Sequence, residues 1–303
     1  MKNILIYGTS NKALRELPAI LMSYTLIGFV DSDIQKQRRK LFGLPIYHFN
    51  DIQNLDFELI IICSEFSLEI EQTLKSLGIT NFINSDDISN VQENAAEIED
   101  YRQKLREKVV NIIPKIPLST KHIENCQMLT DRKKLLELLP KNGMVAELGV
   151  AAGCFSSDIL NYNKPKQLHL IDIWGSDRYN EGLLDNIKKI FVQEISSKKV
   201  LIHRKLSHHA ALDFPDEFFD WVYIDTTHSY AQTKLELELY APKIKSGGII
   251  AGHDYIMGNW GKSFKYGVIE AVHEFCATHN YEFKYLTMDL SENQSFAIKK
   301  IGK

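Results

Sequence analysis

The segment VAELGVAAGCF, residues 145–155, sets one glutamate and three small residues in a fixed rhythm. An apolar strand delivers Glu147, and Gly149, Ala151 and Gly153 follow at every second position before a helix. Small residues there let the backbone approach a ligand closely, and the start of the following helix offers unpaired N–H groups. Asp172, in LHLIDIW, ends the next strand 19 residues after Gly153. A carboxylate at that place can accept hydrogen bonds from both hydroxyls of a ribose. Turn and acid together point to a nucleotide-type cofactor. An ordinary tight turn with a helix-capping aspartate is the plainer alternative.

A second group of candidates lies in FDWVYIDTTHSYAQTKLELELYAPKIKSGGIIAGHDY, residues 219–255. One strand ends at Asp225 and the next helix begins near Ser229, so Asp225 and His228 face the crevice at the carboxyl ends of the strands. The following strand, GGIIAGH, delivers His253 and Asp254 to the same edge. The plainer reading of His228 is a helix-start residue bonding backbone, and of His253 a bystander to Asp254. The pair His208–His209 reads as cofactor-pocket packing and solvated surface rather than a metal site. Trp174 and Tyr179 follow Asp172 and either line the acceptor site or pack in their loop.

The elements that must position these residues show as apolar runs. Beyond Ile116, candidate strands are Met144–Leu148, Gln167–Ile173, Val200–Lys205, Phe219–Ile224, Gly248–Gly252, Tyr281–Met288 and Gln294–Lys299. Only Asp289 to Asn293 separate the last two, too few for a helical crossover, so they should pair antiparallel. Residues 1–90 alternate in the same way, with runs at Asn3–Tyr7, Leu26–Asp31, Phe57–Cys63 and Ile79–Asn84. Continuous apolar strands between helical segments indicate a parallel sheet covered on both faces. The fold class is therefore α/β, a seven-stranded sheet with its last strand antiparallel, preceded by a smaller doubly wound α/β domain. Between them residues 91–115 form a charged linker helix ended by Pro114 and Pro117, with Val91, Ile98, Leu105 and Ile112 on one stripe. That stripe packs on one domain or, less simply, joins two chains in a homo-oligomer.

Composition narrows the function classes. The chain has 303 residues and a net charge of −3, which supplies no basic field for gripping nucleic acid. Its longest apolar stretch, Ala19 to Val30, is interrupted and too short to span a membrane, and MKNILIYGTS is too short for a secretory signal. Four cysteines lie far apart with no CxxC pair, so reduced thiols and a cytoplasmic location are expected.

With the E-x-G-x-A-x-G turn, the acid closing the second strand and the terminal hairpin in view, residues 116–303 resemble a class I S-adenosylmethionine-dependent methyltransferase. Ala151 stands where that family usually has glycine, and the G-x-G-x-x-G dinucleotide pattern is not matched. The resemblance implies that Glu147 anchors the methionine side of S-adenosylmethionine, Asp172 holds its ribose and Ser207 lies near its adenine, with Gly149, Ala151, Gly153 and Asp225 completing the pocket. D-x-x-H-S-Y followed by G-G-x-x-x-x-H-D-Y is similar to a subgroup that methylates sugar hydroxyls of natural products and surface glycans. That similarity implies Asp225 and Asp254 as ligands of Mg²⁺ or Mn²⁺ and His228 as the base. The implied substrate is a small sugar, a nucleotide sugar or glycan precursor, with no nucleic acid or membrane partner. A metal-independent methyltransferase of another small molecule and a non-catalytic cofactor-binding module are the competing readings. The front domain, with GTSNKA, GFVDSD and GLPIYHFNDI, resembles the Rossmann-like domain that precedes some sugar-modifying acyltransferases. Its turn has only Gly8, which favours assembly or acceptor presentation over a second catalytic site.

Overall fold

The computed structural model describes residues 1–33, 36, 40–88, 113–176, 178–259 and 264–302. The chain divides into two compact units, Met1–Val110 with Ser176–Arg178, and Asn111–Gly175 with Tyr179–Lys303. The heptad stripe of the expected linker helix lies outside the described residues.

In the first unit, strands β1 (Lys2–Tyr7), β2 (Tyr24–Val30), β3 (Lys40–Leu41), β4 (Leu44–Tyr47), β5 (Leu59–Ile62) and β6 (Phe82–Asn84) form one sheet in the order β3-β4-β2-β1-β5-β6. All pairings are parallel except the β3–β4 hairpin. Alternate residues of β1 feed opposite faces: Ile4 and Ile6 pack with Leu17 and Ile20 of the helix Asn11–Ser23, Leu5 and Tyr7 with Ile70 and Leu74 of the helix Ser67–Ser76. Two covered faces are why the strands read as continuous apolar runs. Gly8 ends β1 at φ +116°, where a Cβ would lie 2.5 Å from the Cys63 carbonyl oxygen.

The second unit is built on β7 (Gln127–Leu129), β8 (Met144–Leu148), β9 (Gln167–Asp172), β10 (Val200–Arg204), β11 (Phe219–Ile224) and β12 (Ile244–Gly252), followed by a small hairpin of β13 (Gly258–Asn259) and β14 (Phe264–Lys265), then β15 (Tyr281–Thr287) and β16 (Phe296–Lys300). The large sheet runs β10-β9-β8-β11-β12-β16-β15-β7. Only β16 runs against its neighbours, lying antiparallel to both β12 and β15, as the five-residue spacer requires. The seven expected strands are joined by an eighth, β7, parallel to β15 at the sheet edge. Its three residues carry no apolar run, and Met128 is exposed. Strand β12 starts at Ile244 rather than Gly248, because a bulge opposite Phe219 and Trp221 takes up Lys245–Gly248.

Register fixes the functional edge. Glu147, Tyr223 and Ala251 lie side by side across β8, β11 and β12, and so do Leu148, Ile224 and Gly252. The pairing continues past the strands: the Asp225 N–H donates to the Leu148 carbonyl at 2.8 Å and the His253 N–H to the Ile224 carbonyl at 3.0 Å. Residues just beyond these strands are thereby held side by side.

Candidate active site

The turn after β8 has its small residues for a backbone reason. Gly149, Ala151 and Gly153 sit at φ +85°, +50° and +78°, all left-handed. At Gly149 a Cβ would lie 1.9 Å from the Asp225 carbonyl oxygen, so no other residue fits. Asp172 secures this turn. Its Oδ2 accepts the N–H groups of Val150 (2.9 Å) and Ala151 (3.0 Å), and its Oδ1 accepts that of Trp174 (3.1 Å). A carboxylate offers about four acceptor positions, so room for a hydroxyl donor remains. Trp174 is fully buried and donates its Nε1–H to the Ala151 carbonyl at 3.0 Å. It is a core residue that closes the turn, not a wall of the acceptor site.

Glu147 is buried at the end of β8 and accepts the Ser156 hydroxyl at 2.5 Å. Burial pushes its carboxyl up to about 8, against the lowering effect of that hydrogen bond. Ser207 opens the short helix Ser207–Ala210 after β10 and donates to Glu236. Glu236, buried in the helix Tyr230–Tyr240, also accepts Thr226 Oγ1 (2.8 Å) and Gln232 Nε2 (2.9 Å). Its carboxyl ties the turn after β10 to the one after β11. His208 is buried and His209 exposed, dividing that pair into packing and surface.

At the ends of β11 and β12 four titratable side chains converge. His228 Nε2 lies 2.9 Å from Asp254 Oδ2 and 3.3 Å from Asp225 Oδ1. His253 Nδ1 lies 3.4 Å from Asp254 Oδ1 and 3.7 Å from Asp225 Oδ2. Asn293, from the loop between β15 and β16, donates its Nδ2–H to Asp254 Oδ1 at 2.5 Å. His228 and Asp254 adopt φ +60° and +57°, strained for residues with a side chain. Such strain persists where the surroundings over-determine it. Here the Gly267 N–H holds the His228 carbonyl at 2.8 Å, and the Tyr266 ring lies 4.8 Å from the imidazole.

The electrostatics follow from this crowding. Burial would lower the His228 imidazole, but its hydrogen bonds to Asp225 and Asp254 prevail and raise it to about 9. Burial would raise the Asp254 carboxyl, yet hydrogen bonds from His228 and His253 hold it well below the usual carboxylate range. Asp225, His253 and Asp254 each offer one ligand atom, all within 4.8 Å of one another. Two carboxylate oxygens and one imidazole nitrogen fit a hard divalent cation.

Asp225, His228 and Asp254 thus meet as the sequence motif suggests, and His253 joins them as a third donor. Asn293, Glu292 and Arg132 carry no signal in the sequence. Arg132 opens the helix Arg132–Leu138, pairs with Glu292 and lies 4.6 Å from the centre of the Phe155 ring. No spacing rule links these segments, because only the strand order brings them together.

Residues 146–255 match the family model of a methyltransferase domain, and residues 1–82 match a model described as C2185-like, N-terminal. No curated protein matches the chain. Among solved structures the chain is similar to a SAM-dependent methyltransferase from Aquifex aeolicus, at 14% identity over 64% of this chain and 98% of that one, with a TM-score of 0.43. It is also similar to an rRNA methylase from Streptococcus thermophilus, at 12% identity over 56% of this chain and 94% of that one, with a TM-score of 0.41. The β8–β12 core of the C-terminal unit thus carries the match to a methyltransferase domain.

Proposed function

We propose that this domain methylates a carbohydrate hydroxyl, on a nucleotide sugar or glycan precursor, with a divalent cation on the carboxylate pair. One observation carries the reading: Asp225, His228, His253 and Asp254 converge beside the turn closed by Asp172. The sugar class rests on the similarity of D-x-x-H-S-Y and H-D-Y to sugar-modifying relatives. A small acceptor also accords with the near-neutral charge, and a cytoplasmic location belongs to the same proposal.

S-adenosylmethionine supplies an electrophilic methyl group on a sulfonium. Asp172 would accept a ribose hydroxyl, Glu147 would face its methionine end, and Ser207 and the residues 149–153 would enclose the rest. Asp225, Asp254 and His253 would hold Mg²⁺ or Mn²⁺, whose charge lowers the pKa of an acceptor hydroxyl. Once a cation offsets the two carboxylates that hold a proton on His228, its Nε2 would take the hydroxyl proton as the oxygen attacks the methyl carbon and S-adenosylhomocysteine leaves, with Asp254 orienting the ring and stabilising the imidazolium.

A metal-independent route is favoured by one contact, the direct His228–Asp254 bond, since such a dyad needs no cation to orient its base. Labelled S-adenosylmethionine offered with a panel of nucleotide sugars, with and without EDTA, separates the readings. Labelled sugar that disappears in EDTA and returns with Mg²⁺ or Mn²⁺ is the expected result. His228→Ala should lose roughly 10²–10⁴-fold in rate while cofactor affinity persists. Full activity in excess chelator would end the metal assignment, and label on no sugar would end the substrate class.

A further inference from the structure

We propose that Arg132 binds the α-carboxylate of the methionine moiety of S-adenosylmethionine. The inference rests on the reading that the crevice takes this cofactor, and it adds a residue from outside both sequence motifs. Arg132 is the first residue of its helix, after the N-cap Asp131, whose carboxylate accepts the Lys134 N–H at 2.8 Å. A helix start favours acids over cations, so helix stability does not explain an arginine there.

Its surroundings do. The guanidinium lies against the ring of Phe155, in the first turn of the helix that follows Gly153. Its polar neighbours are the carboxylate of Glu292 and the hydroxyl of Tyr223, the residue paired with Glu147 across β8 and β11. Glu147, Tyr223 and His253 all feel Arg132 as a positive charge, in a region where Asp172, Asp225 and Asp254 contribute negative ones. The side chain is 17% exposed, whereas Glu292 is 40% exposed in a loop. A guanidinium has five N–H donors in a planar fork that suits a carboxylate bidentately. Two polar neighbours leave donors for another anion. S-adenosylmethionine brings one carboxylate alongside two positive groups, and this edge is otherwise rich in acids. Arg132 is placed to receive that carboxylate on the Glu147 side of the crevice.

The test compares S-adenosylmethionine with its decarboxylated form, which keeps the adenosine, sulfonium and amine. Calorimetric affinities for both donors are measured on the full chain and on Arg132→Met and Arg132→Lys. The unaltered protein should prefer S-adenosylmethionine. Arg132→Met should weaken that donor roughly 10–100-fold, as expected for a charge-assisted pair, and leave decarboxylated donor affinity unchanged. Arg132→Lys, which keeps the charge without the fork, should fall between. Equal weakening of both donors would make Arg132 a structural prop and overturn the proposal, as would an unchanged preference in both variants. Failure of the unaltered protein to bind either donor would overturn the cofactor reading itself, and this proposal with it.

Discussion

Asp172 shows how one side chain can serve fold and function together. Three backbone N–H groups already point at its oxygens, all from residues that shape the turn after β8. Its removal should therefore act twice. Asp172→Ala should lower unfolding free energy by about 1–3 kcal/mol, because buried donors lose a charged acceptor. It should also weaken S-adenosylmethionine binding. Thermal melts with and without ligand separate the two effects: a variant as stable as its parent would end the clamping role, and undiminished ligand stabilisation would end the ribose role. The sequence displays Asp172, Asp225, His228 and Asp254 because each follows an apolar run that must be a strand. His253 shows at the same strand end but not as a candidate ligand, since a histidine next to an aspartate is no such signal until both are seen facing Asp225. Asn293 and Arg132 stay hidden because their contacts depend on which strands lie side by side.

At the scale of elements, the turn after β8 sets a sharper condition than its glycine pattern suggests. Gly149→Ala would place a Cβ 1.9 Å from the Asp225 carbonyl oxygen at φ +85°. Backbone cannot yield there without breaking the link between β8 and β11, so a loss of about 3 kcal/mol or more is expected. Ala151→Gly is the informative partner. Releasing a left-handed alanine recovers roughly 1–2 kcal/mol, while the freer unfolded chain costs about 0.4–1 kcal/mol. The net is a gain of about 0–1.6 kcal/mol, and urea denaturation should find Ala151→Gly at least as stable as the parent. A large loss would mean that the Ala151 methyl makes a contact the turn needs. Long apolar runs made seven strands of the large sheet legible. The hairpin Lys40–Tyr47 and strand β7 were not, because two to four residues cannot display a period. The early start of β12 was masked by Ser246–Gly248, which reads as a turn and folds as a bulge.

For the molecule as a whole, two buried groups outside the cluster of Asp225, His228, His253 and Asp254 shape the pH dependence in opposite senses. His169 on β9 and His203 on β10 stack at 5.1 Å, with Nδ1 of the first 2.9 Å from Nε2 of the second, among Phe214, Phe218 and Phe219. Burial lowers His169 to about 4, and the neighbouring His203 adds to the effect. The unfolded chain binds a proton below pH 6.5 that the folded chain refuses, so this contribution is complete above 6.5 and is lost as pH falls toward 4. Glu147 behaves in reverse. Its folded carboxyl, raised by burial to about 8, keeps a proton that the unfolded chain releases near 4.5. Its contribution is complete below 4.5 and is lost as pH rises toward 8. Between 4.5 and 6.5 the two slopes oppose each other, and between 6.5 and 8 Glu147 acts together with His228, whose imidazole, raised to about 9, likewise holds a proton that the unfolded chain releases. One proton over that last interval corresponds to about 2 kcal/mol. Urea denaturation of the ligand-free protein should therefore show stability declining from pH 6.5 to 8 by about 2 kcal/mol for each of these two groups. Glu147→Gln, which cannot ionise but can still accept the Ser156 hydroxyl, should remove the Glu147 share of the decline and leave the His228 share and the acid limb in place. A decline of equal slope in Glu147→Gln would assign it to another group and show that Glu147 is already ionised in the folded protein at pH 6.5.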